Sequence, residues 1–339
     1  MRCIGEIAVV ILLAAATAGA HGHHSSPAQE PHAGHHRVAE KAKLEWRDDT
    51  TAQTITVRLG PLNLPANSDH NAVAQPADQY LEIPFDGWLI AYHPRLTDAA
   101  GAKLPGRMLH HVAFWNVSRS DFLCSNKEEH IFGAGGEMND WPALPGFGYP
   151  VAKGERIRVN TMFHNPTDTD YPETYIEVVM EYRRVDAGTK LRSVYPTWFD
   201  VQECGESDYD LKPGKNFHAG EFRLQHTGTL LGVGGHLHDY GTQLELLNAT
   251  REEHVASLSP QLDAGGRIVA MPIVTFFDRG GYRLSAGETM RVTAAYDNRS
   301  GRSLPDGAMG IVVGYFLPDN DMEMTAHRRA PMHRGRAPR

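Results

Sequence analysis

Apolar residues in this chain recur at every second position, in runs too short and too often interrupted to form helices. Thr54–Leu59 (TITVRL), Tyr80–Pro84 (YLEIP) and Trp88–Tyr92 (WLIAY) open the series. Met108–Val117, Ile157–His164, Tyr175–Tyr182 and Glu221–Leu224 continue it. Gln243–Leu247, Arg267–Ala270, Met290–Tyr296 and Met309–Phe316 complete it. A period of two sends alternate side chains to opposite faces, which is the pattern of a strand with one buried side. Turn clusters such as Asn67-Ser68-Asp69, Pro145-Gly146, Asn165-Pro166 and Arg279-Gly280-Gly281 separate the runs. The 33 glycines and 21 prolines fit strands joined by turns, since both residues are costly inside helices. No short repeat marks a solenoid or propeller. The expected fold is all-β, built from sandwiches or jelly rolls.

At 339 residues the chain has the length of two domains of about 150 residues each. Val185–Pro213 carries several turn residues between two strand-rich halves, so the boundary is expected there. The expected division is a signal peptide over 1–20, a His-rich leader over 21–43, sandwich domains over 44–187 and 188–319, and a disordered basic tail over 320–339. A hydrophobic content of 41% excludes disorder of the whole chain. A net charge of −8 argues against surfaces for nucleic acid or anionic lipid.

Arg2, the apolar run Ile7–Ala16 and Ala18-Gly19-Ala20 have the layout of a cleaved export signal, with cleavage expected near Ala20. No other segment is a candidate to span a membrane. Cleavage there would start the mature chain at His21-Gly22-His23-His24, and six histidines fall between His21 and His36. A free amine with histidine in third place chelates Cu(II), so this leader is read as a flexible metal-scavenging tail. Cys3, Cys124 and Cys204 contain no C-x-x-C pair. In an oxidising compartment Cys124 and Cys204 allow one intramolecular disulfide, but the sequence leaves their proximity open.

Three places in the body concentrate imidazoles: His110-His111, His164 at the end of a strand, and His236-Leu237-His238. H-x-H puts two imidazoles on one face of a strand, about 7 Å apart at Cα. Adjacent histidines point to opposite faces, so His110 and His111 can share an ion only where the backbone bends locally. Three such places set in apolar strands point to metal. The H-E-x-x-H of zinc hydrolases is absent. His130 and Met138 follow Cys124 at too wide a spacing for a blue-copper loop. Thr242 and Gln243 stand where a cupin would carry its glutamate.

The order His-His, single His, H-x-H and then a Met-bearing strand resembles the ascorbate-dependent type II copper monooxygenases. That is the family of peptidylglycine α-hydroxylating monooxygenase and dopamine β-monooxygenase. The resemblance runs from about Thr54 to Leu317 and takes in Trp88–Leu96, Phe132–Gly154 and Leu211-Lys212-Pro213-Gly214. It implies two tandem jelly-roll-like domains with a copper in each. His110, His111 and His164 would hold an electron-transfer copper, and His236, His238 and Met309 an oxygen-activating one. Val112 and Leu237 depart from the family's usual residues. Gly234 and Val313 stand where the peptide-amidating enzyme places an arginine and a tyrosine on its substrate's carboxylate. Their loss argues against peptide amidation, because an unpaired carboxylate there would be desolvated without compensation.

The expected function is therefore an exported copper-dependent monooxygenase with two coppers per chain. It would use O2 and a one-electron donor, ascorbate or another reductant, to hydroxylate a C–H bond of a small organic substrate. The competing expectation is a non-catalytic periplasmic copper-handling protein whose leader is its active part. A third is a structural β-sandwich descended from the enzyme. His93, His130, His218, His226 and His254 lie outside the ligand pattern and are read as surface positions or as supports behind a ligand.

Overall fold

Alternation translates directly into burial. In the strand Thr54–Leu64, Ile55, Val57, Leu59, Leu62 and Leu64 are buried, while Thr54, Thr56 and Arg58 are only half-buried. Tyr171–Arg184 alternates in the same way from Thr174 to Tyr182. The computed structural model describes residues 38–137, 140–141, 143–185, 188–264, 267–325 and 327. The expected signal peptide and most of the His-rich leader lie outside the described residues.

The fold is all-β, as the sequence predicts. In the first half, Lys43–Asp49, Thr54–Leu64, Tyr171–Arg184, Gly87–Thr97, Phe147–Val151 and Arg192–Ser193 lie in that order in a six-stranded sheet. Gln79–Glu82, Arg156–Phe163, Leu109–Ser120 and Glu128–Ala134 make a four-stranded one. In the second half, Tyr195–Asp200, Gly310–Pro318, Gly228–Leu237 and Val274–Thr275 form a path joined by Tyr282–Leu284. Gly214–Arg223, Thr289–Asn298, Gly241–Asn248 and Glu253–Leu258 form its companion sheet.

Among the described residues, no strand up to Ser193 pairs with one from Tyr195 onward. The described residues nevertheless form one compact unit, and most of their buried apolar side chains belong to one continuous core. Aromatic contacts join the halves: Tyr149 meets Tyr195 at 6.4 Å and Trp141 meets Tyr315 at 5.8 Å between ring centroids. Cys124 and Cys204 form a disulfide across the same join, with Cα atoms 5.5 Å apart.

Two segments differ from expectation. Tyr195–Asp200, inside the stretch read as a connector, is a strand along Gly310–Pro318. Five of its six residues are buried, because the first half covers the face that solvent would otherwise reach. Such a strand shows no alternation. The stretch read as a disordered tail begins with a short helix, Asp321–Thr325, where Asp321 accepts a hydrogen bond from the Tyr195 hydroxyl at 2.8 Å.

Candidate metal centre

Leu109–Ser120 runs antiparallel to Arg156–Phe163, with Leu109 opposite Phe163 and His111 opposite Met162. The register shifts between Leu109 and His111, so His110 is the extra residue of a bulge, and a bulge re-aims the side chains around it. The Nδ1 atoms of His110 and His111 stand 3.4 Å apart. The far nitrogen of His111 donates to Asn160 Oδ1 at 2.9 Å, which leaves the Nδ1 lone pair inward. His164 is seated by its own N–H on the Met108 carbonyl at 3.1 Å, and its Nε2 donates to the Arg107 carbonyl at 2.7 Å. Its ring and that of His111 each lie 5.5 Å from His110.

The second set forms on the pair Gly228–Leu237 and Gly310–Pro318. His236 faces Ile311 and Leu237 faces Gly310, so the next position along sets His238 across from Met309. Tyr296 clamps this corner. Its buried hydroxyl accepts the N–H of His238 and of Met309, each at 3.1 Å, and donates to the Met309 carbonyl. The rings of His236 and His238 are 5.3 Å apart, and both Nε2 atoms are buried without a hydrogen-bond partner. Asp208 Oδ1, also buried without one, lies 4.0 Å from His238 Nε2. The other nitrogen of His236 meets Glu137 Oε1 at 2.9 Å.

The two sets adjoin. His110 and His238 bring their ring centroids to 4.6 Å. His70, which follows the Asn67-Ser68-Asp69 turn, lies 5.5 Å from His110 on another side. Burial, followed by the neighbouring imidazoles, holds His110 and His238 well below the usual imidazole range. Burial lowers His111 to about 4 against the opposing Asn160 hydrogen bond, and lowers His164 as well. His236 goes the other way: burial disfavours its charge, but the Glu137 carboxylate outweighs it and raises the pKa. Neutral imidazoles are the form that binds metal.

A cavity of about 730 Å³ opens beside both sets, with His111, His236 and Met309 in its wall. That volume suits a small organic molecule. His130 is stacked between Trp115 and Trp198, at 3.6 and 3.4 Å between centroids, with both ring nitrogens unpartnered. Gly234 pairs with Val313, and a Cβ on Gly234 would come within 2.9 Å of the Trp141 indole. The places where a carboxylate anchor was expected to be missing thus carry an apolar, indole-covered wall.

Among the described residues, no three His, Cys, Asp or Glu side chains are grouped as one finished metal site. The donors fall in pairs that fit copper in kind. Two imidazole nitrogens bonded to one ion at about 2.0 Å in a tetrahedral array stand about 3.3 Å apart. The Nδ1 atoms of His110 and His111 have nearly that spacing. Two orphaned buried Nε2 atoms beside a thioether form a donor set suited to Cu(I).

The sequence reading missed Glu137, Tyr296 and His70, none of which lies in a recognisable metal-ligand spacing. The remaining histidines sit elsewhere: His93 contacts Asp140 and Glu181, His226 contacts Glu323 and His327, His218 packs on Tyr209, and His254 is exposed.

No protein-family model matches the chain. It is similar to a probable copper-dependent oxygenase of Phoma sp., 26% identical over 235 residues, covering 62% of this chain and 58% of that protein. The match therefore spans less than two thirds of that relative's length. A probable copper-dependent oxygenase of Cochliobolus lunatus is 27% identical over 229 residues, covering 62% of this chain and 71% of its own. Among solved structures, peptide N-glycanase F matches with a TM-score of 0.41 at 9% identity, over 79% of this chain and 96% of that one.

Proposed function

We propose that this protein is an exported copper-dependent monooxygenase of the ascorbate-dependent type II kind, with two domains and two coppers. His110, His111 and His164 would hold one copper, and His236, His238 and Met309 the other. The reaction places one atom of O2 in a C–H bond of a small organic substrate and reduces the other to water. The two electrons and two protons come from an external reductant, ascorbate or another.

The observation that carries the reading is that His111 of the first set, His236 of the second and Met309 line one cavity, the two sets meet at His110 and His238, and the Nε2 atoms of His236 and His238 are buried without a partner. The relatives named as copper-dependent oxygenases support the same metal and reaction class. Copper held there supplies one-electron steps between Cu(I) and Cu(II), with the thioether favouring Cu(I). The chain's own residues do the rest. Burial favours the neutral form of His110, His111, His164 and His238, and the Tyr296 hydroxyl fixes the backbones of His238 and Met309. Trp115, Trp141 and Trp198 form part of the cavity wall.

Copper stoichiometry on a chain starting near residue 41, free of the His-rich leader, tests the reading. Two coppers are expected, falling to one in His236→Ala. Met309→Ile should abolish oxygen consumption with substrate while copper still binds the first set. A body that binds no copper would overturn the proposal and leave the leader as the metal-binding part.

A further inference from the structure

His236 belongs to the second set, yet its Nδ1 reaches back to the first half. Its partner is Glu137, on the loop that follows the strand Glu128–Ala134, at 2.9 Å. This carboxylate is hardly solvated, with a side chain 4% exposed. The loop itself aims it: the Gly135 N–H donates to the same oxygen at 3.0 Å. Gly135 also makes room for the contact. A Cβ there would stand 2.6 Å from both the His236 ring and the other Glu137 oxygen. An acceptor on Nδ1 places the proton on that nitrogen and leaves the lone pair on Nε2, the atom that is buried without a partner.

Resting on the copper reading above, we propose that Glu137 is the positioning residue of the second copper site. It sets the tautomer and ring orientation of His236 from the opposite half of the chain. A carboxylate behind a metal-binding imidazole also makes that imidazole a stronger donor. The second site is then complete only when the Gly135–Glu137 loop is docked against it.

The test uses the full chain with its six leader histidines changed to glutamine, titrated with Cu(I) against a chelator and with Cu(II) followed by electron paramagnetic resonance. Glu137→Ala should weaken one of the two coppers by about 10–100-fold and alter its Cu(II) spectrum, while leaving the other copper unchanged. Glu137→Gln keeps an oxygen acceptor at the same reach and should recover part of the affinity. Gly135→Ala, whose Cβ would press on both the His236 ring and the Glu137 carboxylate, should weaken the same copper most. In a His236→Ala background Glu137→Ala should add nothing. Two coppers held by Glu137→Ala at unchanged affinity would overturn the positioning role alone. Equal weakening of both coppers, with a lowered unfolding midpoint, would reduce Glu137 to a general structural role and overturn it as well. A parent chain that binds no copper would overturn the copper reading itself.

Discussion

The imidazole of His110 lies against that of His238, with centroids 4.6 Å apart and planes crossed at 78°. One ring comes from the bulged strand of the first half and the other from the end of a strand in the second. Groups in contact do not respond independently to substitution. Copper affinities of His110→Ala, His238→Ala and the double variant should therefore depart from additivity by about 0.5 kcal/mol or more. Strictly additive values would show that the two sets work as strangers.

Tyr296→Phe removes a buried hydroxyl that serves three backbone groups at once. The His238 and Met309 amides lose their acceptor, and the Met309 carbonyl loses its donor. We expect a loss of about 1–3 kcal/mol in denaturant unfolding, together with weaker copper binding at the second set only. Unchanged unfolding would mean that the corner is held by packing alone.

Glu129 lies in the core of the first half, hydrogen-bonded by the Tyr149 hydroxyl and 3.9 Å from Arg119. Burial nevertheless pushes its carboxyl up from 4.5 to about 7. The folded state then holds this proton more tightly than the unfolded chain does. Its contribution to stability is fully present below about pH 4.5 and lost as pH rises through 7. Glu129→Gln should flatten that decline. Between pH 5 and 8 its melting temperature should fall less than that of the parent, by about 2 °C or more. Parallel curves would place the titration elsewhere.

The Cys124–Cys204 bridge spans 80 residues and ties the Leu109–Glu128 region to the start of the second half. On chain-entropy grounds, replacing both cysteines by serine should lower the unfolding free energy by up to about 4–5 kcal/mol. Guanidinium unfolding of the two forms measures it. Equal midpoints would assign the join to the continuous core.

Much of the frame could be read from the chain because alternation is a local signal. Ile55, Val57 and Leu59 announce their strand and its buried face together. The bend required for His110 and His111 to act together was also foreseeable, and it is met by a bulge. The same holds for His236 and His238, two residues apart. Glu137 and Tyr296 were not legible in these roles. Glu137 is 99 residues from its partner, and Tyr296 is 58 from His238, so only packing joins them. His130 was read as a surface position or a support behind a ligand. It is not at the surface: its cross-strand neighbour Trp115 covers one face and Trp198 of the second half covers the other.

On the oxygenase reading proposed above, the indole of Trp141 over Gly234, with Val313 alongside, bears on how the cavity could come to accept a different molecule. A Cβ at 234 would press within 2.9 Å of the indole and force it to shift, while shrinking Trp141 alone would remove the ring that covers Gly234. Neither step is rewarded by itself, so the two positions are locked in epistasis. On that reading, a lineage or a laboratory library would reshape this wall by varying 141, 234 and 313 together.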